Sequence, residues 1–179
     1  MQAQDILHFW FEELDNQQRF AKDAALDALM RERFGTVLRA ASKGELFKWR
    51  TTPQGRLAEV IVLDQFSRNI HRDTAAAFAQ DAQALALAQE LVASGQDYVL
   101  DAGQRSFAYM PYMHSESPLI HSQAVALFSQ TGMEGTLAYE QRHRSIIDRF
   151  GRFPHRNAIL SRVSTPQELD FLAQPGSSF

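Results

Sequence analysis

Apolar residues along this chain recur at three- and four-residue intervals almost throughout, which is the period of a helix with one buried face. Ile6, Leu7, Trp10, Phe11 and Leu14 predict an amphipathic helix over 3–14. Ala25, Leu26, Leu29, Met30, Phe34, Val37, Leu38 and Ala41 form a longer stripe that Gly44 closes. Thr52 followed by Pro53 reads as an N-cap with proline in the first helical position, starting a helix through Leu57, Val60, Ile61 and Asp64. Asp73 or Thr74 is expected to cap an Ala-rich helix that stops near Gly95. Asp101 with Gln104 starts another, which Pro111 is expected to cut short. Ser117-Pro118 opens the next, ending at Gly132, and a further helix covers about 134–149. Thr165-Pro-Gln-Glu168 is a capping box for the last.

No run of β-branched alternation bounded by turn pairs is long enough to predict a sheet. The fold class is therefore all-α. Short connections make successive helices antiparallel neighbours, stacked as helical hairpins in a bundle or short solenoid. No Pro/Gly/Ser-rich linker divides residues 1–179, so a single domain is expected, with Gly176–Phe179 a frayed tail.

One self-similarity interrupts the helical monotony. Asp64-Gln-Phe66-Ser-Arg68-Asn-Ile-His71-Arg72 returns 84 residues later as Asp148-Arg-Phe150-Gly-Arg152-Phe-Pro-His155-Arg156. Asp, Phe, Arg, His and Arg keep their spacing, which predicts two related helix junctions, an internal structural repeat. Asp64 and Arg68, like Asp148 and Arg152, are four residues apart and can meet on one helix face. Asp64 and Asp148 are thus the expected structural ion pairs. The arginines outnumber the acids in each copy, so Arg68, Arg72, Arg152 and Arg156 are candidates to hold an anion near a helix start.

Charge changes the picture locally rather than globally. A net charge of −3 supplies no field for nucleic acid or an anionic membrane. Yet residues 142–162 carry six arginines against Asp148 as their only acid, and no lysine follows Lys48. Arginine favours planar, two-pronged recognition of carboxylate or phosphate. The absence of cysteine excludes disulfides and thiolate chemistry and fits a reducing compartment. No basic, apolar leader opens the chain and its apolar runs are too short to span a bilayer, so a cytoplasmic protein without membrane or nucleic-acid partners is expected.

A second constellation is Phe107-Ala-Tyr109-Met-Pro111-Tyr-Met-His114-Ser-Glu116, where aromatic packing leads through a proline into a polar turn. His114 is the candidate proton-transfer group and Glu116 its partner, although both also suit the capping of the following helix. Ser115 lacks the strained elbow of a nucleophile. His71, His114, His121, His143, His155 and Glu116 make no recognised metal spacing, and no glycine-rich phosphate loop occurs. No metal or cofactor is expected.

Phe9-Trp10-Phe11, Leu63–Ile70, Tyr109–Glu116, Arg149–Asn157 and Ser164–Leu172 together resemble the domain-of-unknown-function family 924 over almost the whole chain. The resemblance implies an all-helical, tetratricopeptide-like fold and no assigned activity. In the family pattern proline is usual where Ser67 stands and an aromatic or apolar residue where His71 stands, which makes His155 the favoured histidine of the motif. The expected function is binding of a small anion or peptide carboxylate in an Arg/His pocket that includes Arg68, Arg72, Tyr109, Arg152, His155, Arg156 and Asn157. A hydrolase using His114 and Glu116 and a protein-interaction scaffold are the alternatives.

Overall fold

Helix-period stripes become helices along the chain, and no described residue lies in a strand in the computed structural model, which describes residues 1–177. The α-helices are α1 (Ala3–His8), α2 (Asn16–Phe20), α3 (Ala24–Ser42), α4 (Pro53–Ile61), α5 (Ser67–Ile70), α6 (Asp81–Ala93), α7 (Ala102–Met113), α8 (Pro118–Phe128), α9 (Glu134–Phe150) and α10 (Pro166–Leu172). Short 3-10 turns at Phe47–Thr51, Ala75–Phe78, Gln96–Val99 and Pro154–Arg156 link them. π-helical turns at Phe9–Glu13 and Val62–Phe66 widen the ends of α1 and α4.

The caps act as the sequence predicts. The Thr52 hydroxyl accepts from Gly55 N at 3.1 Å, and the Asp101 carboxylate accepts from Gln104 N at 2.9 Å. Thr165 and Glu168 form the reciprocal capping box of α10. These bonds satisfy amides that have no partner inside the helix. No helix among the described residues is long and apolar enough to cross a membrane.

Several boundaries depart from expectation. Pro111 does not stop α7, which continues to Met113. Tyr112 and Met113 are almost fully buried, and burying two such side chains, at about 1.5–3 kcal/mol each, outweighs a proline's cost of about 3 kcal/mol. The Ala-rich helix begins at Asp81 rather than at 73 or 74, because Asp73 takes a left-handed φ of 60° and a 3-10 turn intervenes. α8 ends at Phe128, four residues before Gly132. Ser177 is buried, with its hydroxyl donating to Leu172 O at 3.1 Å, so the expected fray does not begin at Gly176; its last two residues lie outside the described ones.

The two copies of the nine-residue motif do not share a backbone. In the first, Ser67 has φ −58° and helical structure continues to Ile70. At the equivalent place Gly151 has φ +69°, ending α9 immediately after Phe150. Glycine occupies this left-handed conformation without steric cost and serine does not. Asp64 consequently sits inside a buried π turn and pairs with Arg68, whereas Asp148 is exposed and meets Arg144, outside the motif, at 3.4 Å. The predicted repeat and the predicted Asp148 pair within it fail for this reason.

The main core is assembled from α1, α3, α4, α6, α7 and α8 around a chain of aromatic rings, among them Phe9, Trp10, Phe34, Phe66 and Phe107. A separate small cluster of Ile146, Ile147 and Phe153, with Phe150 and Phe171 against it, serves the C-terminal part. Charged residues dominate the seam between the two, and the candidate site lies there.

Candidate functional site

The site grows outward from Asp64. Its side chain is fully buried, and a buried carboxylate needs donors. It has three: His114 Nδ1 at 2.7 Å, Gln65 Nε2 at 2.6 Å and Arg68 at 3.1 Å. Burial alone would raise its pKa, but Arg68 and His114 outweigh burial and hold the carboxyl far below the usual carboxylate range. An ionised Asp64 is acceptor-only, so Nδ1 of His114 carries the proton. Burial first, and Arg68 next, lower the His114 pKa against the pull of Asp64, leaving the imidazole neutral. Its Nε2 is then an unprotonated acceptor on the opposite side of the ring, with no protein hydrogen bond among the described residues.

Arg68 reaches past Asp64 to grip Asp81, the first residue of α6, through two bonds of 2.9 and 3.1 Å. Asp81 also accepts from Arg156 at 3.2 Å, and the other terminal nitrogen of Arg156 donates to His114 O at 3.2 Å. The Arg156 guanidinium lies between the rings of Phe78 and Phe153, with its carbon 4.6 Å from each centroid. Burial and the neighbouring Arg68 push its pKa down to about 10, so its charge is under-compensated.

Of these groups His114, Asp81, Arg156 and Phe78 border a cavity of about 410 Å³. His114, Ser115, Glu116, Asp81 and Arg156 form its polar end. Phe78, Leu85, Pro111 and Leu160 form the apolar wall, with Ala75, Ala79 and Ala82 on an exposed rim. A mostly apolar cleft of this size with a few convergent polar groups is the usual make-up of a small-molecule site. A smaller cavity of about 80 Å³ lies beside His71 and Ser67.

Of the residues singled out in the sequence, His114, Glu116 and Arg156 meet here, and Arg68 stands directly behind. Glu116 cannot partner His114 in proton transfer. Its carboxylate is held by Arg162 at 2.6 and 2.9 Å and by Phe153 N at 2.8 Å. Although burial opposes it, Arg162 keeps the Glu116 pKa low, so this residue staples two loops. Arg72 is committed to Asp27 of α3, away from the cavity. Tyr109 is fully buried against Phe128 and donates its hydroxyl to Asp97, so it is a core residue and not a ligand contact. Arg152 binds Glu168 at 2.6 and 2.8 Å, and buried Asn157 donates to Ser164 at 3.1 Å. His155 packs near Phe153 outside the cavity lining, its pKa lowered to about 4 by burial and Arg156.

Asp81 and Phe78 were missed because a first-turn acid and a phenylalanine among alanines both read as ordinary helix furniture. His121 and Glu140 were missed as a pair. Both are fully buried, bonded at 2.8 Å, and His121 Nε2 donates to Ser115 O at 2.8 Å, holding the loop that follows His114. Since a carbonyl only accepts, Nε2 keeps its proton, and the pair shares one further proton between Nδ1 and Glu140. His143 lies 6.4 Å ring to ring from His114. No group of three or more potential metal ligands occurs among the described residues.

No curated protein matches the sequence. A solved structure, that of a protein of unknown function from Agrobacterium tumefaciens, is similar at 38% identity and a TM-score of 0.90 over 96% of each chain. The family described as bacterial protein of unknown function (DUF924) matches residues 6–176. With nearly the full sequence matched and the all-helical architecture shared by that solved relative, the chain belongs to the DUF924 family.

Proposed function

We propose that the cavity between α6, the end of α7 and the Pro154–Arg156 turn binds a small molecule through a carboxylate or similar anionic group. Arg156 carries the reading. It faces the cavity, its stacking between two rings fixes its plane, and each terminal nitrogen spends only one long bond on the protein. A guanidinium so desolvated gains most from a further anionic partner. The Phe78, Leu85 and Leu160 wall would take the apolar remainder of the ligand.

This reading treats the chain as one domain with tetratricopeptide-like stacking, supported by the packing of α6 on α7, α7 on α8 and α8 on α9. A metabolite-sized ligand and a cysteine-free chain fit a cytoplasmic setting. The test is calorimetric titration and thermal shift with short-chain carboxylates and inorganic phosphate. At 100 times Kd a ligand adds about 2.7 kcal/mol of stability. Arg156→Met, which keeps the apolar stem between the rings, should abolish binding. Equal binding by that variant, or no response to any of these anions, refutes the reading.

A further inference from the structure

Three features around the cavity are more than binding needs. The first is the pairing of Asp64 with His114. A buried carboxylate, fixed by Gln65 and Arg68, accepts the Nδ1 proton and leaves Nε2 of a cavity-lining imidazole unprotonated. This arrangement sets both the tautomer and the orientation of a general base. The second is the position of Arg156, whose guanidinium is bonded to the backbone of His114 itself, so the cation and the base occupy one corner. The third is the rim of Ala75, Ala79 and Ala82, which leaves the cavity open to solvent.

We infer that the protein is a hydrolase for carboxylic esters of small apolar acids, with His114 as general base, Asp64 as its positioning partner and Arg156 as the oxyanion donor. The inference rests on the ligand-site reading above, and the carboxylate bound there is the reaction's product.

The step balances with water as the only co-reactant. His114 Nε2 takes a proton from water as its oxygen bonds to the ester carbonyl carbon, and the carbonyl π pair moves onto oxygen, facing the Arg156 N–H groups. On collapse the carbonyl re-forms and the carbon–alkoxide bond breaks. The alkoxide leaves with the bond pair and takes the proton back from Nε2. The acid product loses its own proton to solvent and remains against Arg156 as a carboxylate. Asp64 stays ionised throughout and stabilises the transient imidazolium, as the carboxylate of a catalytic triad does. Glu116, locked by Arg162, takes no part.

The wild-type chain should hydrolyse p-nitrophenyl esters of two- to six-carbon acids. His114→Gln keeps a donor toward Asp64 and should lose about 100-fold or more in kcat/KM. Asp64→Asn should lower kcat while leaving hexanoate binding intact, a split that a merely structural tie between the Val62–Phe66 turn and the end of α7 would not produce. The groups facing His114 are Asp64, Arg68, Asp81, His143 and Arg156, and with them intact kcat/KM should rise with pH and level off below the usual histidine value. Turnover no faster than that of His114→Gln overturns the inference. Hexanoate titrated in parallel separates the failures, because binding without turnover leaves the ligand site standing and sinks only the hydrolase. Should His114→Gln unfold, diethyl pyrocarbonate on the wild type replaces it. Ethoxycarbonylation of His114 should abolish activity and be slowed by hexanoate; full activity after that modification refutes the role.

Discussion

Replacing Asp64 by alanine removes a carboxylate that serves three donors at once, and the structure fixes what each is left with. Arg68 retains Asp81 and the Asp64 backbone carbonyl at 2.8 Å. Gln65 retains only a contact of 3.3 Å with Met110 sulfur, and His114 Nδ1 has nothing in exchange. Removing one partner of a buried pair costs about 3–5 kcal/mol. Because Arg68 stays half-served, the lower end applies, about 3 kcal/mol, or a melting-temperature drop of roughly 6–12 °C for a chain of this length. Asp148→Ala is the matched control, taken from the same position of the repeated motif. Asp148 and Arg144 are 52% and 39% exposed, against 1% for Asp64, so that change should cost under about 1 kcal/mol. Urea titrations of both variants at pH 7.5, fitted with a common slope, read the difference. Equal destabilisation, or a larger effect at Asp148, would refute the burial argument on which the site description stands.

Other outcomes follow from the same contacts. Burial lowers the pKa of His143 to about 3 and that of His155 to about 4, below an unfolded value near 6.5. The unfolded chain therefore binds these protons first. Stability should be full above about pH 6.5 and fall by at most roughly 1.4 kcal/mol per pH unit per histidine toward pH 4. Melting temperatures between pH 7.5 and 4.5 check this, and a flat profile contradicts it. Gly55→Ala would place a Cβ 1.9 Å from the Trp49 carbonyl oxygen and should cost about 1–3 kcal/mol, whereas Gly135→Ala meets nothing and should stabilise α9 by up to about 1 kcal/mol, opposite signs that chemical denaturation resolves. Thr165→Ala should cost about 1 kcal/mol through the lost cap of α10, and an unchanged denaturation midpoint would contradict that.

What the sequence carried and what it did not divide along the range of the interactions. Thr52, Asp101 and Thr165 act on amides within three residues, so their role could be read locally. The all-helical class followed from stripes such as that of α3. The relation between Asp64 and His114 spans 50 residues and depends on the π turn at Val62–Phe66, which no periodicity announces. Glu116 lies two residues from His114 in sequence and so is an attractive partner, yet Arg162, 46 residues away, claims it. The repeated motif misled for a related reason. Five matched side chains outweighed four mismatches, but one of those, Ser67 against Gly151, sets the backbone and hence every partner.

The seam between the two apolar clusters has a kinetic consequence. Much of the C-terminal segment's grip on the rest of the protein is charged. Arg162 holds Glu116 and Arg156 holds Asp81, with the Arg162, Glu116 and Asp81 side chains 21–27% exposed. Its own hydrophobic cluster is small. Ion pairs reached by water are screened by salt, while the aromatic core around Trp10 is not. Residues 154–162 are thus expected to open as a sub-global unit, exchanging their amide protons before those of α3 and α4, and faster as ionic strength rises. Since Arg156 and Leu160 in that unit also form part of the cavity wall, an occupant would slow this exchange.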